Sequence, residues 1–355
     1  MRKFAEIRAI QLILDNYCKE GCTKKQVQEI LDNEKLSFDV STILREYEIT
    51  KDSSQLLSTY IESNELEAYF RNELSKLQKT NKTNVIVDRF KFTTINQSEN
   101  AKDDLLIVFS DWHVGKLIDF DRNKFNLNLF RLRLSEVISQ IKLIDRDSVK
   151  TLTLLFLGDL MESPMRNIRK GLILENGVDQ IQECSRFVLE CIEHCTNHFQ
   201  LQTTALFVSG NHDRATQDIN EDYDRLPYKT MVDIVRFNCE YRNLPVTITH
   251  SQRRTCYHSV NDHVSLIYFH GDACSKIPNL VMSDTTAKHK LLVQGHLHHK
   301  SFTDTGLNYT HVVQPSLCGA SEHEFDELGY VGRPGQCLIR CRDARINVEW
   351  LDVSN

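Results

Sequence analysis

Residues 105–115 read Leu-Leu-Ile-Val-Phe-Ser-Asp-Trp-His-Val-Gly, an apolar run that ends in a polar block. A short apolar run of this kind is typical of a strand buried on both faces of a sheet in an α/β protein. Open α/β sheets bind ligands at the carboxyl ends of their strands, which is where Asp111 and His113 stand. The stretch therefore predicts an α/β fold and one part of a functional site.

Four further polar blocks follow later in the chain, each after its own apolar run. They are Gly158-Asp159-Leu160-Met161-Glu162, Gly210-Asn211-His212-Asp213, His270-Gly271-Asp272 and Gly295-His296-Leu297-His298. Singly, each block has an ordinary explanation, because Gly-Asp and Gly-Asn are common turn dipeptides and a lone histidine after a strand is usually a surface residue. With the first block they supply two carboxylates, an asparagine and four histidines, which is enough to hold two metal ions.

The positions of the glycines indicate that the five blocks belong to one functional site. The chain has only 13 glycines in 355 residues, yet five of them touch the blocks: Gly115, Gly158, Gly210, Gly271 and Gly295. Glycine lets the backbone turn sharply beside a ligand. We also expect Asp111 and His113, like His296 and His298, to lie on an extended strand end that turns both side chains of a pair to the same side.

In this order, the blocks resemble the calcineurin-like metallophosphoesterase family, whose pattern is Asp-x-His, Gly-Asp-x-x-(Asp/Glu), Gly-Asn-His-(Asp/Glu), His and Gly-His-x-His. The resemblance covers the chain from about Leu105 to the C-terminus. It implies two metal positions that share one bridging carboxylate. The first would be held by Asp111, His113, Asp159 and His298, and the second by Asp159, Asn211, His270 and His296. His212 would be the catalytic histidine, held by Asp213.

The form of two blocks narrows the resemblance within the family. Ser163 and Pro164 stand where serine/threonine protein phosphatases have an arginine and a glycine, which argues against phosphoprotein substrates. The Gly-Asn-His-Asp block is nearer to the nuclease subunits of double-strand-break repair complexes and to stand-alone bacteriophage phosphoesterases. Residues 1–100 lie outside the resemblance.

A two-metal site of this composition is suited to the hydrolysis of phosphate esters. Two divalent cations outweigh the charges of Asp111, Asp159 and one hydroxide by about one positive charge, which would attract an anionic phosphate. Mixed carboxylate and imidazole ligands suit manganese, with iron, zinc or magnesium as alternatives. The alkoxide that leaves a diester needs a proton, and histidine can supply one near neutral pH, which is the role expected of His212.

Two arginines near the blocks are candidate phosphate-binding residues. Arg214 directly follows Asp213, so its position is tied to the site. Arg166 follows the second block and lies either at the substrate or in an ordinary solvated loop. Trp112, between two expected ligands, is either a base-stacking residue or, as is commoner, a packed indole.

From Leu105 onward, apolar runs and helical patterns alternate. We predict helices at Asn126–Asp145 and Val178–Phe199. Strands are predicted at Thr151–Leu157, Ala205–Val208, Val264–Phe269, Leu291–Val293, Tyr309–Val313, Gln336–Arg340 and Ile346–Leu351. An early βαβ half and a late strand-rich half predict two mixed sheets packed face to face with helices outside, forming a two-metal phosphoesterase domain over 105–355.

The N-terminal region divides into a helical segment, 1–50, and a segment 51–104 with a helix, a short strand and a linker at Thr93–Asp104. The first segment has a helix-turn-helix outline, which is either a DNA reader or a plain packing module. An apolar stripe over 53–78 either forms contacts in a homo-oligomer or packs against the rest of the chain.

Composition argues against several classes of protein. The net charge of −6 gives no support to a generally basic nucleic-acid surface. The apolar stretches are too short to span a membrane, and Glu6 and Arg8 interrupt any signal-peptide core. The 11 cysteines include no Cys-x-x-Cys pair, and Cys184, Cys191 and Cys195 are expected to be buried rather than disulfide-bonded. We expect a cytoplasmic protein, in the host cytoplasm if the chain is of bacteriophage origin.

Three functions are compatible with these features. The first is a metal-dependent phosphodiester hydrolase acting on DNA. The second is an enzyme for small phosphate esters such as cyclic nucleotides, dinucleoside polyphosphates or phosphomonoesters. The third is a DNA-binding or regulatory protein that has lost activity, which the complete ligand set and the intact His212-Asp213 pair argue against. The form of the Gly-Asn-His-Asp block favours the first.

Overall fold

The strands in chain order are β1 (Asp103–Phe109), β2 (Ile118–Phe120), β3 (Asn123–Phe125), β4 (Val149–Phe156), β5 (Thr203–Phe207), β6 (Val246–His250), β7 (Thr255–Ser259), β8 (Val264–Phe269), β9 (His289–Gln294), β10 (Ser301–Asp304), β11 (Tyr309–Val313), β12 (Gly335–Arg342) and β13 (Arg345–Asp352). The helices are α1 (Leu127–Ile141), α2 (Gly177–Phe199), α3 (Leu226–Tyr241), α4 (Ile277–Ser283) and α5 (Glu322–Asp326). This computed structural model describes residues 101–163, 174, 177–214, 225–251, 253–272, 277–305, 308–326, 329 and 332–353. The predictions for residues 1–100 and for Arg166 lie outside the described residues.

The described strands form two large sheets and a small ribbon. The first sheet has the order β13-β12-β1-β4-β5-β6. Strands β1, β4, β5 and β6 are parallel to one another, β12 is antiparallel to β1, and β13 is antiparallel to β12. The second has the order β10-β11-β9-β8-β7, in which β8, β9 and β11 are parallel. Strands β2 and β3 pair with each other. Both large sheets are therefore mixed, as predicted.

Alternation along β1 shows how the layers pack. Leu105 and Ile107 point into a core shared with the helices, where Phe130 of α1 also lies. Leu106 and Val108 point into a second core, between the two sheets. A fully buried side chain of this kind contributes roughly 1.5–3 kcal/mol relative to an exposed one. The predicted fold, two mixed sheets packed face to face with helices outside, is confirmed.

Sequence patterns located the buried central strands better than the edges. The strands β6, β7 and β10 were not predicted, and each lies at an edge of its sheet, where side chains are only partly buried and the apolar signal is weak. The first predicted helix also ends early, at Ile141, and a short 3-10 turn over Arg146–Ser148 follows. Strand β1 begins at Asp103, inside the predicted linker.

The structure also bears on the predictions about membrane spans and cysteines. Among the described residues, none of the helices combines the length and apolar character that a membrane span requires. The eight described cysteines are free and buried, and Cys184, Cys191 and Cys195 lie on the buried face of α2, as predicted.

Candidate metal centre

The seven predicted ligands all lie just beyond the ends of strands. Asp111 and His113 follow β1, Asp159 follows β4, Asn211 follows β5, His270 follows β8, and His296 and His298 follow β9. These five strands belong to both large sheets, and their carboxyl ends meet at one edge of the sandwich. The fold thus brings seven side chains from five loops to one place.

Three donor atoms converge in the part of the site built on β1 and β9. The Nε2 atom of His298 lies 3.1 Å from Asp111 Oδ1 and 3.1 Å from His113 Nε2. All three side chains are buried. Two imidazole nitrogens and a carboxylate oxygen at these distances can share a single cation.

A second convergence lies beside β4, β5 and β8. The Nε2 atom of His270 is 3.2 Å from Asp159 Oδ2 and 3.1 Å from Asn211 Oδ1. Ligand atoms of Asp159, His270 and His296 lie within 4.8 Å of one another. Asp159 also forms such a group with Asp111 and His113. Asp159 therefore stands between the two sets of donors.

The backbone at the ligands differs from the extended geometry that their spacing suggested. Five of the seven have positive φ values: 53° at Asp111, 48° at His113, 49° at Asp159, 69° at His296 and 54° at His298. A residue with a Cβ is strained in this left-handed region, and the strain costs on the order of 1–3 kcal/mol for each residue. The pairs thus converge through left-handed turns beyond the strands, and such strain clusters at functional sites.

Glycine is required where two of these loops approach each other. A Cβ on Gly158 would overlap the backbone nitrogen of Gly210 and lie 2.6 Å from its Cα. A Cβ on Gly210 would overlap Asp159 Oδ1 and lie 2.5 Å from the Asp159 nitrogen. These two glycines therefore let the β4 and β5 loops place Asp159 and Asn211 side by side.

We expect Gly210→Ala to displace Asp159 and to destabilise the protein by about 1–3 kcal/mol, the usual range for overpacking. The free energy of unfolding from urea titration measures this effect. Gly329→Ala is the control, because its added Cβ would meet no atom within 4 Å and only its φ of 68° disfavours the change. Equal losses in the two variants would mean that the close approach at Gly210 is unimportant.

Contacts on the far side of three of the four rings, those of His113, His270 and His298, show that the donor set fits a cation. Nδ1 of His113 lies 2.6 Å from Glu162 Oε2, and Nδ1 of His270 lies 2.7 Å from the carbonyl oxygen of Leu157. Nδ1 of His298 contacts Glu324 Oε1. A neutral ring that donates through Nδ1 carries a lone pair on Nε2. Nε2 lone pairs that face one another and carboxylate oxygens are suited to a shared cation.

The charges around the rings differ between the two parts of the site. Burial lowers the pKa of His270, but the adjacent Asp159 carboxylate outweighs burial and raises this pKa to about 10. Burial and the nearby Lys116 charge lower the pKa of His113 to about 4, although Glu162 opposes them. A pocket that retains a proton on one buried imidazole attracts other cations for the same electrostatic reason.

His212 lies at the edge of the donor set and not inside it. Its Nδ1 is 2.8 Å from the carbonyl oxygen of Glu162 and 3.4 Å from Glu162 Oε2. Its Nε2 is 4.0 Å from Asp159 Oδ2, and the side chain is 14% exposed. The ring thus turns one nitrogen to the protein and the other toward the donor cluster.

Asp213 differs from its expected role of holding the His212 ring. Its Oδ2 accepts hydrogen bonds from the backbone nitrogens of Gly210 (2.6 Å) and Asp159 (2.9 Å). Burial, together with the charge of Asp159, raises the pKa of Asp213 to about 7. The carboxyl group therefore ties the β5 loop to the β4 loop, while the Nδ1 atom of His212 lies against Glu162.

The remaining predicted residues have structural contacts. Arg214 is buried, and its Nε donates to the carbonyl oxygen of Asn211 at 2.9 Å. Trp112 is fully buried and donates from Nε1 to Gln336 Oε1 at 3.1 Å, so it is the packed indole of the two alternatives.

Two glutamates at the site were not assigned a role from sequence. Glu162 ends the second block, and only its contact with His113 and His212 shows what it does. Glu324 lies outside all five blocks. Its sequence signal was the Ser321-x-x-Glu324 spacing, a capping-box pattern that marks the start of a helix and gives no hint of a metal.

Comparison with known proteins gives distant similarities only. No family model matches the chain. Among curated proteins, the SPbeta prophage-derived uncharacterized protein YonJ of Bacillus subtilis (strain 168) is 20% identical over 247 residues, a match that covers 65% of this chain and 59% of that protein. The chain therefore spans less than two thirds of the length of this relative.

Several solved structures are similar to this chain at low sequence identity. A dimetal phosphatase from Danio rerio is 8% identical, with 70% of this chain and 99% of that chain covered and a TM-score of 0.38. A purple acid phosphatase from yellow lupin is 10% identical over 71% of this chain and 52% of its own, with a TM-score of 0.37. Vacuolar Protein Sorting 29 from Cryptosporidium parvum is 14% identical, and the match covers 72% of this chain and 100% of that chain with a TM-score of 0.33. At these scores, the function has to be inferred from the side chains of the site.

Proposed function

We propose that this protein is a phosphodiester hydrolase of the calcineurin-like metallophosphoesterase type that binds two divalent cations. The observation that supports this most strongly is the convergence of seven donor side chains from five loops, with Asp159 common to two donor groups. The first metal position would consist of Asp111, His113, Asp159 and His298. The second would consist of Asp159, Asn211, His270 and His296. Manganese suits this mixture of ligands, with iron, zinc or magnesium as alternatives.

Divalent cations in such a site polarise a phosphoryl oxygen and lower the pKa of water toward neutrality. The side chains around them have separate tasks. Asp159 and Asp111 supply negative charge, whereas Asn211 is neutral and leaves the site with a surplus of positive charge for the phosphate. Asp213 fixes the loop that carries Asp159 through the two amide hydrogen bonds described above.

His212 is the residue that we propose to protonate the leaving alkoxide. Its Nδ1 lies 2.8 Å from the Glu162 carbonyl oxygen, an arrangement in which Nδ1 donates and the ring orientation is fixed. Nε2 then faces the donor cluster and can hold the transferable proton. Arg214, anchored to the Asn211 carbonyl, stabilises the β5 loop and is also our candidate for a phosphate contact.

DNA is the substrate that we propose first. The Gly-Asn-His-Asp block and the helix-turn-helix outline in residues 1–50 support this choice. Because the net charge is −6, attraction of a polyanion would come from the metal site itself. Small phosphate esters are the second candidate, since the same donor set would act on any accessible phosphoester. The location that we propose is the cytoplasm, or the host cytoplasm if the chain is of phage origin.

A side-by-side assay tests the proposal. The purified full chain is incubated with manganese and with single-stranded DNA, duplex DNA, a cyclic dinucleotide or a phosphomonoester, and parallel samples contain EDTA. We expect manganese-dependent cleavage of DNA that EDTA abolishes. Cleavage of the cyclic dinucleotide alone would replace DNA by the small-molecule alternative. Absence of hydrolysis in every manganese sample, with two metals bound, would overturn the enzymatic proposal.

A further inference from the structure

We propose that Glu324 is a positioning residue for His298 and thereby sets the affinity of the first metal position. This inference rests on the proposed two-metal function and adds a residue from outside the five sequence blocks. Glu324 lies on the five-residue helix α5, Glu322–Asp326, which follows the last predicted ligand by more than 20 residues. Its side chain is 14% exposed and contacts Nδ1 of the His298 ring, whereas Asp111 lies against the opposite ring nitrogen, Nε2.

One carboxylate oxygen of Glu324 is fixed by the start of its own helix. The backbone nitrogen and the hydroxyl of Ser321 both donate to Glu324 Oε2, at 2.6 Å each. In return, the Glu324 backbone nitrogen donates to Ser321 Oγ at 3.3 Å. These reciprocal contacts form a capping box, which restricts the rotamer of the glutamate.

The other carboxylate oxygen contacts the metal ligand. Oε1 of Glu324 lies against Nδ1 of His298. The opposite ring nitrogen, Nε2, is the atom that lies 3.1 Å from both Asp111 Oδ1 and His113 Nε2. A carboxylate that accepts the Nδ1 proton fixes the tautomer of a histidine and raises the basicity of its other nitrogen. The Glu324 side chain therefore connects the capping box to the proposed metal ligand His298.

This arrangement makes the two metal positions unequal. His113, also in the first position, has its Nδ1 against the buried carboxylate of Glu162, 2.6 Å away. His270, in the second position, has its Nδ1 against the neutral carbonyl of Leu157. Two carboxylates thus stand behind the imidazoles of the first position. Lys116 Nζ, 3.9 Å from Glu162 Oε2, offsets part of this charge. Because negative charge near a cation strengthens its binding, the Glu324 carboxylate should give the first position the higher affinity.

Manganese titration of Glu324→Gln tests the inference. Glutamine keeps the size of the side chain and an oxygen for Ser321 but removes the charge that faces His298. We expect isothermal titration calorimetry to show two binding steps in the wild-type chain. In the variant, the tighter step should weaken roughly 10–100-fold, the usual effect of an outer-shell partner. Activity should return at saturating manganese, because Glu324 orients a ligand and takes no part in the reaction.

Glu322→Gln is the matched control. Glu322 lies on the same helix but is exposed, so its substitution should leave both binding steps unchanged. Thermal unfolding without metal verifies that Glu324→Gln folds like the wild type. If it does not, Ser321→Ala keeps the charge but loses the hydroxyl that fixes Oε2, and the tighter step should still weaken several-fold.

Two other outcomes have distinct meanings. Wild-type affinity for both manganese ions in a folded Glu324→Gln variant would overturn the positioning role and leave the proposed function intact. A wild-type chain that binds no manganese, iron, zinc or magnesium would overturn the proposed function itself, and the Glu324 inference with it.

Discussion

Asp159→Asn is expected to abolish stable metal binding while the chain remains folded. Asparagine has nearly the same shape, but it removes the negative charge that faces His270 Nε2 at 3.2 Å and that both donor groups share. Activity should fall by more than the roughly 10–100-fold that follows loss of an outer-shell partner, because Asp159 would be a ligand of both cations. Elemental analysis after dialysis measures the metal content, and circular dichroism checks the fold.

Asp119→Asn is the control for this experiment. Asp119 carries the same side chain but pairs with Lys124 on the surface, 3.2 Å away. Surface ion pairs of this kind contribute little, about 0–1 kcal/mol, so metal content should not change. Two metals per chain in Asp159→Asn would refute the assignment of Asp159 as the bridging ligand.

His212→Ala is expected to keep both metals, since His212 is not among the seven proposed ligands. Hydrolysis of a diester with a poor alkoxide leaving group should slow by on the order of 10²–10⁴, the usual contribution of a positioned general acid. An activated aryl diester should slow much less, because nitrophenolate leaves without a proton. Comparing kcat/KM for the two substrates separates proton donation from substrate binding.

His194→Ala is a suitable control for the loss of an imidazole. His194 lies on α2, partly exposed, with Glu190 3.7 Å away. Its substitution should affect neither substrate. If His212→Ala retained its metals but lost the same factor on both diesters, His212 would have to be reassigned to phosphate binding.

Which side chains meet at the site could be predicted from sequence because the pattern that marks them is local. Each block ends an apolar run, so the same stretch of sequence predicts both the strand and the proposed ligand that follows it, as with Phe109 and Asp111. The parallel order of β1, β4 and β5 then requires their carboxyl ends to lie at the same edge. Three of the edge strands, β6, β7 and β10, were not predicted because half-buried strands lack a continuous apolar run.

The sequence by itself determined which residue types reach the site, in which order, and in which class of fold. Tertiary structure decided how they are held. The left-handed backbone at Asp111 and His298, the contact of His212 with Glu162 and the contact of His298 with Glu324 join parts of the chain that are far apart in sequence. Ligand type follows from the chemistry of single residues and their neighbours. Ligand orientation depends on long-range packing and hydrogen bonds, which no local pattern encodes.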